Sequence, residues 1–352
     1  MKREVATFGV LSALLVLVVG AVPPFRAAVV DTVRAAWDAR FPGDWSGYYV
    51  VYDDPESDLS SDDPAQLFFA SGSFPGRAVR VLSNGASVGG WSADGERFVV
   101  GSGNRLYLGD RHGSVSLLAD LREFRPTWGP AWIADREVVV SVTTGGTTTW
   151  LLRLDARTAQ LVDQRGLPDG FFSSVPSPAS DWVLTFDGTT GPPTRVLYDP
   201  LERRTVRPAA HETFQGWLPD GRVLVVTGDW PGPSELVARP VAAAGGEALL
   251  TSRGWLARTS SNGRHLAVTE VIDPERQTWS VWLITQGTAP ARVIEGAGSD
   301  IGARPSGDGR FISFSELSTR DEALRARAGV IEVATGRVNY ACGSGCAGLA
   351  LR

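Results

Sequence analysis

Three ten-residue stretches of the chain share one pattern, a polar turn followed at once by a run of apolar residues. Residues 91–100 read Trp-Ser-Ala-Asp-Gly-Glu-Arg-Phe-Val-Val, residues 217–226 read Trp-Leu-Pro-Asp-Gly-Arg-Val-Leu-Val-Val, and residues 305–314 read Pro-Ser-Gly-Asp-Gly-Arg-Phe-Ile-Ser-Phe. Asp-Gly favours positive φ, and the β-branched and aromatic residues behind it suit a pleat, so each copy predicts a turn that opens a strand. Residues 259–268 fit with Asn262-Gly263 in place of Asp-Gly, and residues 132–140 fit with Asp135 and no glycine. Residues 176–184 are the weakest copy, with Ala179 at the marker position. The markers Asp94-Gly95, Asp135, Ala179, Asp220-Gly221, Asn262-Gly263 and Asp308-Gly309 follow one another in steps of 41, 44, 41, 42 and 46 residues.

Each marked strand is followed by a second apolar run, clearest at 105–108, 150–154, 195–198, 279–284 and 329–333. Several of these lead through a turn into a third strand, as at 159–162 and 337–340. A fourth strand is expected before each marker. Four strands in a unit of roughly 40 to 45 residues is the blade of a β-propeller. Residues 45–52, Trp-Ser-Gly-Tyr-Tyr-Val-Val-Tyr, read as a degenerate first copy, with 66–70 and 78–82 as its later strands. The expected fold is therefore all-β, a propeller of four-stranded blades over residues 43–340. Seven blades is the count taken; it falls to six if the first segment only completes the ring.

The Trp-Ser-x-Asp-Gly unit resembles the PD40, or TolB-like, class of WD40-like propeller repeats, over most of residues 43–340. The resemblance implies a fold more than a function, because one fold hosts many unrelated sites. The TolB family itself would imply six blades. Proteins similar to TolB also carry an α/β domain before the propeller and are soluble in the periplasm, whereas little more than a linker separates residue 24 from Trp45 here. The Pal-binding role of that family is not carried over.

Ahead of the repeats, residues 5–22 contain no charged side chain and are rich in Leu and Val. Their length is near the lower limit for a helix crossing a bilayer core of about 30 Å. Lys2 and Arg3 precede the run, which by the positive-inside tendency places the bulk of the chain outside the cytoplasm. Residues 1–24 are thus expected to be a signal anchor or transmembrane helix in a single-pass cell-membrane protein. A cleaved signal peptide is the alternative, since Val19-Gly20-Ala21 approximates a small-x-small site, and the protein would then be secreted. Phe25, Val29, Val33 and Trp37 recur every four residues and predict a short juxtamembrane helix in the linker 25–42. Of the 352 residues 43% are apolar and 21% charged, enough for a large core. The net charge of -5 supplies no cationic field for phosphate, so nucleic acid is not an expected partner. Cys342 and Cys346 are the only cysteines and fall in the expected C-terminal tail, 341–352, where export favours a disulfide between them; a two-cysteine metal site would need ligands from elsewhere.

Candidate chemistry is sparse, and no metal or cofactor is expected. His112, His211 and His265 have no second His or Cys at metal-ligand spacing. The acidic run Asp53, Asp54, Glu56, Asp58, Asp62 and Asp63 offers oxygen ligands for Ca²⁺, but Leu59 and Ala65 stand where an EF-hand loop needs Gly and Glu, which favours a solvated loop. Gly90-Trp91-Ser92-Ala93-Asp94 lacks the closing glycine of a hydrolase nucleophile elbow. The innermost strands line the channel in this architecture, and Arg125, Gln215, Arg258 and Arg304 lie on them. They are candidates to converge on an anionic ligand or a carboxylate-bearing partner through forked hydrogen bonds, against the alternative of a solvated wall. Trp128, Trp132 and Trp217 are expected to pack between blades. The function expected is a non-catalytic scaffold that binds an envelope protein or cell-surface ligand. The alternative is a propeller enzyme, a glycan- or peptide-directed hydrolase or lyase with its site at the channel mouth.

Overall fold

The computed structural model describes residues 46–52, 65–71, 79–82, 86–318 apart from isolated positions, 325–340 and 346–351. The expected anchor, the juxtamembrane helix, the acidic run, Asp135, Gly263 and the side chains of the cysteine pair lie outside the described residues. Among the described residues no helix is long and apolar enough to cross a membrane. The strands form seven four-stranded sheets, each antiparallel throughout. The propeller has seven blades.

Blade 2 sets the pattern. It runs from the channel outward as β4 (Ala86–Trp91), β5 (Arg97–Ser102), β6 (Arg105–Asp110) and β7 (Val115–Asp120). Blade 1 differs, because its inner strand comes from the other end of the chain. Here β28 (Cys346–Leu351) lies inside β1 (Ser46–Tyr52), β2 (Ala65–Ser71) and β3 (Val79–Leu82). Gly47 pairs with Leu351 and Val51 with Cys346. The segment expected to be a tail is therefore, from Cys346 onward, the strand that closes the ring, and the propeller extends to Leu351. The repeat motif could not show this, since β28 follows the last marker and opens no turn of its own.

The marked turns have a common chemistry. In blade 2 the Asp94 carboxylate accepts from the Glu96 N–H at 3.0 Å and from the Ser92 hydroxyl at 2.5 Å, while Ser92 Oγ accepts from the Arg97 N–H at 3.0 Å. Gly95 takes φ of 69°, which a residue with a Cβ rarely adopts. Blade 7 repeats the set with Ser306, Asp308 and the Arg310 N–H. Blade 5 keeps Asp220 accepting from the Arg222 N–H at 3.0 Å, and in blade 6 Asn262 accepts from the His265 N–H at 2.9 Å. The repeated acid thus satisfies turn N–H groups and is structural. One outer strand begins later than expected: β11 (Leu161–Gly166) starts after Asp155 has capped the N–H groups of Arg157 and Thr158, with Ala159 at positive φ in the turn.

Burial explains why the second strand of each blade is apolar without alternation. In blade 3, Val138 and Val140 of β9 (Glu137–Thr143) pack toward Val99 and Leu106 of blade 2, while Val139 packs toward Val183 and Val196 of blade 4. In blade 5, Val223 and Val225 of β17 (Val223–Gly228) meet Leu184 and Leu197 of blade 4, and Leu224 and Val226 meet Leu256 and Val268 of blade 6. A strand buried on both faces reads as a continuous apolar run. The core is consequently a series of layers between blades, and outer strands such as β7 are largely exposed.

All seven inner strands are bulged. Against their neighbours they carry an extra residue between Val88 and Trp91 in β4, Phe172 and Val175 in β12 (Phe171–Pro176), and Phe214 and Gly216 in β16 (Glu212–Trp217). The same holds between Leu256 and Arg258 in β20 (Trp255–Ser261), Ser299 and Gly302 in β24 (Ser299–Pro305), at three places in β8 (Arg125–Ala134), and in β28 opposite Tyr48 and Val50. A bulge increases local twist and frees backbone groups from the ladder. Side chains of other blades take up several of them. Trp132 Nε1 donates to the Gly90 carbonyl at 2.8 Å, and Trp217 Nε1 donates to the Val175 carbonyl at 3.0 Å. These are the repeat tryptophans one period apart from their acceptors, so their part in packing includes an inter-blade hydrogen bond.

Two outcomes follow for stability. Trp217→Phe keeps an aromatic ring but leaves the half-buried Val175 carbonyl without its donor, at an expected cost of about 1 kcal/mol, measured by denaturant unfolding. Removal of residues 346–351 leaves blade 1 with an open inner edge, and light scattering should then show self-association where the intact chain gives none.

Candidate functional site

The inner strands place the four residues singled out from the sequence at different depths. Arg125 opens β8, at the end where the inner strands begin, and is exposed. Gln215 occupies the bulge of β16, and Arg258 immediately follows the bulge of β20. Arg304 lies near the far end of β24 and donates through Nη1 to the Gly89 carbonyl of β4 at 2.8 Å, reaching past β28 from blade 7 to blade 2. Arg304 is exposed to solvent yet has protein on all sides of its guanidinium, and the desolvation this brings draws its pKa below the usual arginine value.

The structure brings Gln215 together with a residue that sequence reasoning had read only as a strand position, while the Arg258 guanidinium lies near Gly302 of β24. Arg195 opens out from β14 (Thr194–Asp199), the third strand of blade 4, which packs against β16 of blade 5. Its Nη1 donates to the Gln215 side-chain carbonyl at 3.0 Å and to the Phe214 backbone carbonyl at 3.2 Å, the latter at the β16 bulge. Its guanidinium lies over the ring of Phe186, 5.2 Å from the centroid, and Phe186 stacks on Phe172 at 5.6 Å and 12°. Phe172, Phe186 and Arg195 share one rung, paired in register across β12, β13 (Val183–Asp187) and β14. Burial first, and then the nearby positive charge of Arg258, lower the pKa of Arg195 below the usual arginine value. The signal for this residue is the cross-strand register, and the turn between β13 and β14, which sets that register, carries no marker.

A buried carboxylate in the next blade was also missed. Glu270 of β21 (His265–Asp273) is 5% exposed, and it accepts from the hydroxyls of Ser252 and Ser280, from Trp282 Nε1 at 2.6 Å and from the Gly254 N–H at 3.3 Å. Burial pushes its pKa up, but these four donors together outweigh burial and hold it below the ordinary glutamate value. It ties the connection between blades 5 and 6 to the sheet of blade 6 and has no spare lone pair for chemistry.

The histidines do not meet. His265 is buried, with Nδ1 at 2.9 Å from the Thr285 hydroxyl and its pKa lowered chiefly by burial; His211 pairs with Asp229 at the surface; His112 is exposed beside Arg111. Among the described residues no group of three His, Cys, Asp or Glu side chains is placed to hold a metal ion.

No family model matches the chain. No curated protein matches it either. Solved structures do, and they are propellers. The β-propeller domain of the Trilobed protease from Pyrococcus furiosus, described as having an open velcro topology, aligns with a TM-score of 0.53 at 11% identity over 81% of this chain and 94% of that one. Acylaminoacyl peptidase from Pyrococcus horikoshii aligns at 0.51 and 11% identity over 80% of this chain, which spans only 49% of the peptidase. TolB from Acinetobacter baumannii is similar at a TM-score of 0.48 and 14% identity, over 92% of this chain and 71% of TolB. At such identities the likeness is one of fold. The ring here is closed by strand pairing between β1 and β28.

Glu270 gives a prediction with a definite sign. A carboxylate whose folded pKa is depressed adds stability above its unfolded pKa and loses it as pH falls through the folded value. The melting temperature should therefore fall as pH drops below the ordinary glutamate range. Glu270→Gln turns an NH₂ toward two of the four donors, and should lower stability at neutral pH by about 2 kcal/mol while flattening the acid limb of a Tm-against-pH curve.

Proposed function

We propose that this chain is a non-catalytic binding propeller, held at the outer face of a cell membrane by its N-terminal segment, which engages an envelope protein or cell-surface ligand at its channel. The observation that carries this reading is the character of the channel wall. The inner strands of blades 3, 5, 6 and 7 contribute Arg125, Gln215, Arg258 and Arg304, and Arg195 reaches in behind Gln215. Positively charged, forked donors on a rigid scaffold suit recognition of carboxylates. The described carboxylates with displaced pKa values, such as Glu270 and Asp187, are all held down by donors, which equips them as acceptors rather than as proton donors. The apolar run 5–22 supports the membrane placement.

The test is crosslinking in the native envelope, followed by affinity capture of the detergent-solubilised chain beside a control lacking residues 43–351. A partner recovered with the intact chain and lost from the control is expected. Arg258→Glu should reduce its recovery several-fold with the circular dichroism spectrum unchanged. Equal recovery by the control would sink the reading.

A further inference from the structure

We propose that Arg195 anchors a carboxylate-binding site at the border of blades 4 and 5, oriented by Gln215 and Phe186. This rests on the channel-binding reading and names the chemistry of what is bound there.

A guanidinium has five N–H groups in a fixed plane. The two on Nη1 of Arg195 are directed at Phe214 O and Gln215 Oε1. The Nε–H and the Nη2 hydrogens have no acceptor among the described residues. That remaining edge presents two parallel N–H groups, the arrangement that matches both oxygens of a carboxylate side-on. The plane itself is set by Phe186, which rests on Phe172. The fork is therefore fixed from one edge and one face before any ligand arrives, so binding loses little side-chain freedom.

Charge points the same way. Several other arginines find acids: Arg153 meets Glu137 at 2.5 Å, Arg165 meets Asp163 and Asp181 at 2.6 Å, and Arg222 meets Asp220 and Glu247 at 2.7 Å. Arg195 pairs with no acidic side chain among the described residues; its contacts are the Phe214 carbonyl, the Gln215 amide oxygen and the Phe186 ring. A half-buried cation is costly without an anion to offset it. A planar carboxylate meets the requirement, whether from an acidic side chain or C-terminus of a protein or from a free organic acid.

The experiment uses the full chain in detergent at low ionic strength. Succinate, inorganic phosphate, and a short peptide with a free or an amidated C-terminus are titrated calorimetrically, with melting temperature followed against chloride at equal ionic strength. Succinate or the free-acid peptide should bind and raise Tm, the amidated peptide should not, and phosphate should bind more weakly than either acid. Preference for the peptide identifies a protein source, and preference for succinate a free acid. Arg195→Lys keeps the charge and loses the fork, and should weaken binding by about tenfold. The proposal is overturned if no carboxylate stabilises the wild-type protein beyond chloride, if phosphate binds better, or if Arg195→Lys and Arg195→Gln lower Tm yet bind succinate as the wild type does. Intact succinate binding with no captured partner would overturn the scaffold reading and leave this site standing.

Discussion

The mismatch between each inner strand and its neighbour governs the rest of this propeller. An inner strand lies close to the axis, where seven sheets converge, and it accommodates the twist by carrying an extra residue relative to the strand it pairs with. The extra residue takes backbone groups out of the ladder, and a buried carbonyl without a donor is costly. Satisfying Gly90, Val175, Gly89 and Phe214 therefore requires donors from other blades, supplied by Trp132, Trp217, Arg304 and Arg195. What begins as strain within one sheet ends as hydrogen bonds that hold different sheets in register.

The apolar layers add the bulk of the cohesion but little of the specificity. Val138, Val139 and Val140 face alternate neighbours, so each blade is stabilised only when both flanking blades are present. An open ring would leave one such face exposed at each end. Pairing of β28 with β1 removes that vulnerability by making the first and last described segments parts of one sheet. It also joins positions some three hundred residues apart in the chain, the kind of non-local contact that forms late because loop closure must precede it.

How much of this could be read beforehand depended on whether the relevant residues are neighbours in sequence. The blade period, the turns at Asp94, Asp220, Asn262 and Asp308, and the strand that follows each were legible because the capping acid and the N–H groups it satisfies lie within three residues of one another. Seven blades could be counted because the segment beginning at Ser46 kept its strand pattern after losing its turn. The closing strand was not legible, since nothing in residues 346–351 names its partner at residues 46–52. Arg195 was missed for the same reason. Its neighbours Phe172 and Phe186 lie on its own rung, but only a pairing register makes them so, and Gln215 belongs to the next blade. Glu270 was not singled out, because Ser252 and Trp282, which surround its carboxylate, lie 18 and 12 residues away in the chain.

The choice of donor at a bulge carbonyl has a consequence beyond stability. An indole has a single N–H, so Trp132 and Trp217 are fully used once they reach Gly90 and Val175. A guanidinium has five. When Arg195 does the equivalent task at Phe214, the bond that anchors it leaves an opposite edge of parallel donors, and Phe186 prevents that edge from turning away. Arg304 meets Gly89 through one nitrogen and likewise retains unused donors, and among the described residues no aromatic ring fixes its plane. The same backbone requirement that tryptophan closes off at one blade border therefore leaves unused donors at another. A structural staple becomes a recognition element by the number of hydrogens its side chain carries.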